Sequence, residues 1–306
     1  MNQTVLEVSS SVQQALSITG ITRSFGKTLA LDGMTLSLGG GQIIGLLGRN
    51  GAGKSTLLRI ISNQLAPNKG NAQIFGKDVK KTDALGEFCM IGDSPDFGKL
   101  KNIKEFFAVC AGLFPAWDGA YADRLIQRFE LPMKKKLKGF SRGMQTALLL
   151  AMGLASGARL TVFDEPSLGL DAVMRERFYD LLLEEKAKNK GRTFVLSTHL
   201  IDEVARALDY AVMIDAGTLL CEGSVDEITE RYCSVSGAPD AVRDATQGFK
   251  ILREEELAGS LVRHIMLPHK EEAEAVGAAP GVQSARMSLQ RLFVFLTEEK
   301  EAARHE

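Results

Sequence analysis

The chain has 306 residues, 45% hydrophobic and 25% charged, which is the composition of an ordinary globular protein with room for one large and one small domain. A formal net charge of −1 argues against a basic nucleic-acid-binding surface, so no nucleic-acid partner is expected. No apolar run approaches the roughly 20 residues that span a bilayer, and four widely spaced cysteines indicate reduced thiols of a cytoplasmic protein.

The chain begins with a predicted tail, which antiparallel strands follow. Residues 1–15 are polar and form this tail. From Leu16 onward, and again around Leu36, hydrophobic residues alternate with polar ones, which is typical of half-buried strands. Phe25 lies between these strands in a Ser-Phe-Gly-Lys segment that favours a turn, although an aromatic residue near a strand is often part of the core.

A glycine-rich segment then matches the phosphate-loop pattern G-x-x-x-x-G-K-[ST]. The expected phosphate contacts are Gly48, Asn50, Gly51, Ala52, Gly53, Lys54, Ser55 and Thr56. The apolar residues 43–47 predict a buried strand before it, and residues 56–61 predict a helix after it. Glycines allow backbone N–H groups to surround phosphate at the helix N-terminus, while lysine supplies a cation and serine a hydroxyl ligand for Mg²⁺. This context favours a nucleoside triphosphate site over a chance match.

Two further predicted strands end on polar residues that suit the same site. Residues 160–163 form an apolar run that ends on Asp164 and Glu165, and residues 194–196 form another that leads to His199. A carboxylate beside the phosphate loop can hold Mg²⁺, usually through water, and this role is expected for Asp164. The alternative is that the acidic pair only caps the next helix. Strands alternating with helices predict an α/β fold, a parallel sheet wrapped by helices with an antiparallel sheet attached.

The order and spacing of these motifs resemble the ATP-binding-cassette (ABC) ATPases over residues 16–224. Besides the phosphate loop, the resemblance rests on Phe140-Ser141-Arg142-Gly143-Met144, on Thr161-Val162-Phe163-Asp164-Glu165-Pro166, on Ser167-Leu168-Gly169-Leu170-Asp171 and on His199. It implies a RecA-like P-loop NTPase core with an antiparallel β-subdomain and a helical subdomain. It also implies that ATP and Mg²⁺ are bound and that ATP is hydrolysed.

The resemblance assigns roles to single residues around the nucleotide. Glu165 stands where the family polarises the attacking water, and His199 where a switch histidine contacts the γ-phosphate. Asp171 matches the D-loop that crosses a dimer interface, although it could equally cap the next helix. Phe25 matches the aromatic residue that stacks on adenine. A lone histidine is more often structural, so for His199 the alternative is a role in packing alone.

Two positions depart from the family's common pattern. Ser141 and Gly143 match the signature motif, which contacts the ATP held by a second subunit, but Arg142 and Met144 differ from the common Leu-Ser-Gly-Gly-Gln sequence. The alternative for this motif is an ordinary solvated helix start. Asp93 stands where the family usually has a glutamine that touches Mg²⁺ and the attacking water. A carboxylate there can still bind Mg²⁺, but its charge predicts slower or differently gated hydrolysis.

These motifs together predict the ATP-binding and ATP-hydrolysing subunit of an ABC membrane transporter, resembling bacterial drug or antibiotic-peptide exporters. Closure of a dimer, formed with a second copy or a homologous subunit, would drive separate transmembrane subunits from the cytoplasmic face of the membrane. The alternatives are a soluble ABC ATPase in translation or repair and a module that binds ATP without hydrolysing it. Residues 16–225 form the predicted ATPase domain, and residues 226–306 form a small α+β accessory domain.

Overall fold

The computed structural model describes residues 13–81, 86–92, 97–257, 259–269 and 272–305. The strands in these ranges are β1 (Gln14–Phe25), β2 (Thr28–Gly39), β3 (Ile43–Leu47), β4 (Lys69–Ile74), β5 (Lys77–Asp78), β6 (Phe88–Ile91), β7 (Leu160–Asp164), β8 (Thr193–Thr198), β9 (Tyr210–Asp215), β10 (Thr218–Ser224), β11 (Tyr232–Gly237), β12 (Lys250–Leu257), β13 (Ser260–Met266) and β14 (Val282–Arg286). The helices are α1 (Lys54–Ile61), α2 (Ile103–Leu113), α3 (Gly119–Arg128), α4 (Arg142–Ala155), α5 (Ala172–Lys188), α6 (Ile201–Val204), α7 (Val225–Arg231), α8 (Pro239–Ala245), α9 (Glu272–Gly277) and α10 (Leu289–His305). Over the same ranges, no helix combines the length and the apolar character that crossing a membrane requires.

A six-stranded sheet of order β10-β9-β3-β8-β7-β6 forms the centre of the ATPase part. Strand β10 runs antiparallel to β9, and the other neighbouring strands run parallel. Every residue of β3 is buried, which is the burial that its uninterrupted apolar sequence predicts for a central parallel strand. Because β8 pairs with both β3 and β7, one edge of the sheet brings together the phosphate loop, which follows β3, and the residues Asp164 and Thr198, which end β7 and β8.

The antiparallel strands predicted near the start of the chain are confirmed. Strand β1 pairs with β2 and β4 in a sheet of order β2-β1-β4-β5, with Ile18 opposite Leu36. Both residues are buried in one hydrophobic core with Leu57 of α1. This sheet therefore packs against the helix that directly follows the phosphate loop.

Three helices that lie between β6 and β7 in the chain begin at polar capping residues. Asn102 accepts a hydrogen bond from the Glu105 N–H at 3.0 Å at the start of α2. At the start of α3, Asp118 accepts one from the Tyr121 N–H at 2.7 Å. Such caps satisfy backbone donors that the first helical turn leaves without partners. Helices α3 and α4 pack together, and α4 also contacts β6 and β7, so the helical region is fixed to the central sheet.

The C-terminal part of the chain forms a separate antiparallel sheet of order β12-β13-β11-β14. The element order β11-α8-β12-β13-α9-β14 is that of a split β-α-β unit. Helices α8 and α9 cover one face, where Val235, Val242, Leu261 and Val276 form a small core. The pairing of Ser234 with His264 belongs to the opposite face, since successive strand residues alternate between faces.

Helix α10 covers that opposite face and joins the C-terminal sheet to the ATPase part. Its residues Leu292 and Phe293 are buried in the large core that also contains Val204 of α6 and Ile228 of α7. The His264 ring packs against the Phe295 ring with centroids 4.8 Å apart. The accessory unit therefore shares a hydrophobic core with the ATPase unit, while the exact boundary between the two stays a prediction.

Candidate nucleotide-binding site

The phosphate loop has a backbone that only glycine adopts comfortably at two positions. Gly51 has φ of 85° and Gly53 has φ of 105°, both in the left-handed region. A Cβ atom on Gly53 would lie 2.7 Å from the carbonyl oxygen of Ala30, which is too close. A Cβ atom on Gly51 would meet nothing within 4 Å, so its backbone conformation, rather than crowding, favours glycine there. Glycine conformations of this kind allow backbone N–H groups to turn toward a phosphate.

Lys54 begins helix α1 and is almost completely buried. Its Nζ donates hydrogen bonds to the carbonyl oxygens of Gly48 at 2.7 Å and Arg49 at 3.2 Å, and lies 3.8 Å from Oε1 of Glu165. Burial lowers the pKa of Lys54, while the neighbouring Glu165 and Asp164 carboxylates oppose that shift. The loop therefore holds a poorly solvated ammonium beside two carboxylates, and a phosphate oxygen would be a stronger partner for it than the two carbonyls.

Asp164 ends strand β7 and accepts hydrogen bonds from two hydroxyl groups. Ser197 Oγ donates to Oδ1 at 2.7 Å, and Ser55 Oγ donates to Oδ2 at 3.3 Å. Burial raises the pKa of Asp164, and the Glu165 carboxylate adds to that increase. A half-buried carboxylate beside a serine hydroxyl is a set of hard oxygen donors, so these residues fit Mg²⁺.

Glu165 has a strained backbone and a carboxylate with a partner on each oxygen. Its φ of 51° lies in the left-handed region, which costs a residue with a Cβ atom about 1–2 kcal/mol. Oε1 lies 2.9 Å from Nδ1 of His199, and Oε2 accepts a hydrogen bond from Thr198 Oγ1 at 3.0 Å. Helix α5 is capped by Asp171, which accepts from the Met174 N–H at 2.8 Å. The alternative in which Asp164 and Glu165 cap that helix is therefore wrong.

Ser141, Gly143 and Asp171 form a second group at the starts of α4 and α5. Ser141 accepts a hydrogen bond from the Met144 N–H at 3.3 Å and so caps α4. A Cβ atom on Gly143 would lie 2.8 Å from the carbonyl oxygen of Gly169, so the start of α4 packs closely on the segment before α5. Across the described ranges, no hydrogen bond joins any of these three residues to Lys54, Ser55, Asp164, Glu165 or His199.

Two other predicted site residues lie elsewhere. Phe25 ends strand β1 with 45% of its surface exposed, and the Arg23 guanidinium lies 4.8 Å from its ring centroid. The alternative in which Phe25 belongs to the core is therefore wrong, and one of its surfaces is open to a ligand. Asp93 lies outside the described residues.

Two fully buried residues that are not predicted as site residues donate hydrogen bonds to the site's carboxylates. The Ser197 hydroxyl donates to Asp164, and the Thr198 hydroxyl donates to Glu165. The signal was present, because they are the polar end of an otherwise apolar strand that leads to His199. A contact of the loop with α10 was not predicted either. Arg49 pairs with Glu301 at 2.8 Å across 252 residues of sequence, a distance that no local pattern spans.

Comparison with known proteins identifies the family. The model of a family described as ABC transporter matches residues 31–168. The daunorubicin resistance ATP-binding protein DrrA3 of Streptomyces coeruleorubidus is 31% identical over 224 residues, which cover 70% of this chain and 69% of that protein. The Nod factor export ATP-binding protein I of Rhizobium sp. (strain N33) is 30% identical over 229 residues, which cover 71% and 73%. The chain belongs to the ABC transporter ATP-binding proteins.

A solved structure supports the same fold for this ABC ATPase. The ATP-binding subunit of an ABC transporter superposes with a TM-score of 0.63 at 25% identity, covering 70% of this chain and 91% of that one. The predicted P-loop NTPase fold is confirmed, and so is the prediction of an ATPase subunit of an ABC transporter. The predicted transport role is favoured over a soluble role in translation or repair.

Proposed function

We propose that two chains of this ABC ATPase close on two ATP molecules and drive the export of a substrate through separate transmembrane subunits. The dimer is inferred from one observation, which is that the site residues lie in two separate groups. Lys54, Glu165 and His199 surround one position, whereas Ser141 caps a helix in the other group. A helix start with a hydroxyl suits a phosphate, so we assign Ser141 to the ATP of the partner chain.

The residues around the loop divide the work of hydrolysis. Mg²⁺ would be held by Ser55 and Asp164, where it would offset the negative charge of the phosphates. Lys54 exchanges the carbonyls of Gly48 and Arg49 for an outer phosphate oxygen. Glu165 accepts a proton from the water that attacks the terminal phosphorus, as the bond between that phosphorus and the ADP oxygen breaks.

The remaining site residues orient the reacting groups. His199 faces Glu165 through Nδ1, which leaves Nε2 for a terminal phosphate oxygen. The exposed ring of Phe25 stacks on adenine, a contact that is worth about 1–3 kcal/mol for bases on aromatic side chains. Asp93 takes the place of the usual glutamine and slows hydrolysis. Asp93→Gln should therefore raise the ATPase rate. An unchanged rate would contradict the role assigned to Asp93.

Export is the direction that the relatives favour. The two relatives compared above are named for daunorubicin resistance and for Nod factor export. An exporter of this kind places its ATPase subunits at the cytoplasmic face of the membrane, as peripheral partners of membrane-spanning chains. The second subunit would be another copy of this chain or a homologous one.

The shared-site arrangement is tested by mixing two defective chains in a Glu165→Gln background, which retains bound ATP. One chain carries Lys54→Ala and the other Ser141→Ala, and occluded ATP is measured on the dimer peak after size exclusion. If each site uses Lys54 of one chain and Ser141 of the other, mixed dimers have one intact site of two, and about a quarter of the unmutated occupancy returns in an equal mixture.

A helix-capping control separates the phosphate contact from the fold of α4. Ser141→Asn keeps a side-chain oxygen that caps the helix but changes the group offered to phosphate, so it should bind as poorly as Ser141→Ala while keeping the thermal stability of the parent. No occluded ATP in the mixture beyond that of either chain alone would contradict the shared site.

A further inference from the structure

We infer that Thr198 is a positioning residue for hydrolysis, whose hydroxyl holds the Glu165 carboxylate in the orientation that accepts a proton. This inference rests on the proposed role of Glu165 as the base. Thr198 is the last residue of β8 and is fully buried. Its hydroxyl is therefore not free to exchange with water and has to be satisfied by neighbouring protein groups.

The hydrogen bonds of this hydroxyl fix the position of its proton. The Leu200 N–H donates to Thr198 Oγ1 at 3.1 Å and so uses an acceptor lone pair of the oxygen. A hydroxyl has a single proton to donate, and Glu165 Oε2 at 3.0 Å is an acceptor for it. Thr198 thus donates to Glu165, and this bond is of the stronger type because a carboxylate accepts it.

The backbone of the same residue is attached to the phosphate loop. The Gly48 N–H donates to the Thr198 carbonyl oxygen at 3.3 Å, and Leu47 is opposite Thr198 in the parallel pairing of β3 with β8. A single residue therefore contacts the loop through its backbone and Glu165 through its side chain. This arrangement sets the distance between the group that binds phosphate and the group that accepts the proton.

Glu165 needs such a restraint because a competing partner lies nearby. The Lys54 ammonium is 3.8 Å from Oε1, and a closer ion pair would turn the carboxylate away from a water molecule. A donor on Oε2 resists that rotation, since it holds the oxygen that Lys54 does not approach. The left-handed backbone of Glu165 is held in a similar way, by its N–H donating to the Ser197 carbonyl oxygen at 2.7 Å.

The neighbouring residue gives a matched control. Ser197 is also fully buried and donates to a carboxylate, but its partner is Asp164, the carboxylate assigned to Mg²⁺. Removing the Ser197 hydroxyl should therefore raise the Mg²⁺ concentration that gives half-maximal activity. Removing the Thr198 hydroxyl should act on the proton-accepting step instead.

The experiment measures the ATPase activity of the full chain as a function of ATP and Mg²⁺ concentration for Thr198→Val, Thr198→Ser and Ser197→Ala. Thr198→Val keeps the shape but loses the donor, and we expect kcat to fall roughly tenfold or more with little change in the KM for ATP. Thr198→Ser keeps the donor and should restore the rate.

Loss of stability alone does not explain such a result. Thr198→Val also leaves the Leu200 N–H without its acceptor, so its melting temperature should fall whether or not Thr198 positions Glu165. The inference is therefore judged on kcat and on the serine rescue. Thr198→Ala replaces Thr198→Val if the valine variant does not fold. A kcat within twofold of the parent, a loss that appears in the KM for ATP rather than in kcat, or a serine variant as slow as the valine variant would overturn the inference. Glu165→Gln is assayed in parallel, and activity retained by that variant would refute the base itself, independently of Thr198.

Discussion

Two parts of the molecule each place a glutamate beside a basic residue of the phosphate loop, and the two pairs differ in how deeply they are buried. At the edge of the central sheet, Lys54 and Glu165 face each other with 6% and 17% of their side-chain surfaces exposed. At the end of α10, Glu301 pairs with Arg49 of the same loop, but the two side chains are 53% and 60% exposed. Water screens the second pair and hardly reaches the first, so burial, rather than the presence of opposite charges, decides which contact matters.

The α10 contact depends on apolar packing instead. Leu292 and Phe293 are buried in the core shared with the ATPase unit, whereas Glu301 near the end of the helix is exposed beside the loop. There Lys300 Nζ donates to the Asp215 carbonyl oxygen at 2.6 Å, in the turn whose Gly217 N–H donates to the Ala52 carbonyl oxygen at 3.0 Å. The comparison predicts that charge changes at the sheet edge have large effects and that a charge change at the exposed Glu301 has a small one.

The largest effect is expected from Lys54→Ala. It removes the buried cation that the loop holds beside the two carboxylates, and the loss of one such transition-state contact lowers kcat by about 10²–10³-fold. Phosphate release measured with saturating ATP and Mg²⁺ tests this. Lys188→Ala, on the exposed end of α5, is the matched control and should retain the parental rate. A Lys54→Ala rate within tenfold of the parent would break the comparison.

The next largest effect is expected from the apolar packing of α10 against the ATPase unit. Leu292→Ala leaves a cavity between α10 and the ATPase unit and should lower the free energy of unfolding by about 2–5 kcal/mol, measured by urea denaturation. Leu113→Ala is the control, because that leucine is 68% exposed and its truncation should cost less than about 0.5 kcal/mol. Equal losses for the two variants would show that α10 does not contribute to a shared core.

A smaller effect, on thermal stability, is expected from Asp164→Asn in the absence of Mg²⁺. Burial raises the pKa of Asp164 in the folded protein, so the ionised carboxylate costs stability at neutral pH, and this cost disappears as the pH falls through the raised pKa toward 3.8. Asparagine keeps oxygen and nitrogen atoms but carries no charge. Its melting temperature at pH 7 should therefore exceed that of the parent, with a gap that closes toward acid.

The same variant should lose ATPase activity although it gains thermal stability. Asp164→Asn should lose most ATPase activity, because an amide is a weaker ligand for Mg²⁺ than a carboxylate. Ser197→Ala leaves the charge in place and should not show the gain in stability at pH 7. A melting temperature of Asp164→Asn below that of the parent at all pH values would contradict the cost assigned to this buried charge.

The two regions also differ in how much of them the sequence predicts. The loop, Asp164, Glu165 and His199 each follow an apolar strand, and parallel pairing brings the ends of neighbouring strands to one edge, so local patterns suffice there. The roles of Ser197 and Thr198 depend on which oxygen each hydroxyl reaches, which requires the strand register.

The C-terminal part was predicted only as a small α+β unit. Its strand order and the return of α10 to the loop depend on packing between residues far apart in sequence, such as Arg49 and Glu301. Alternating hydrophobic residues identify a strand but do not specify its neighbour in the sheet. No local pattern indicates that α10 covers the face of the sheet that α8 and α9 leave open.

The smallest effect is expected from the charged contact itself. Glu301→Gln removes the ion pair with Arg49, and an exposed pair of this kind contributes about 0–1 kcal/mol, so both stability and ATPase rate should stay close to the parental values. The measurement is most informative at low salt, where screening is weakest and any contribution is largest. A rate that changes severalfold, and that returns toward the parental value at high salt, would show that Arg49 transmits the position of α10 to the phosphate loop. In that case the charge at α10 would matter despite its exposure, and the contrast between the two regions would lie in what each contact controls rather than in how deeply each is buried.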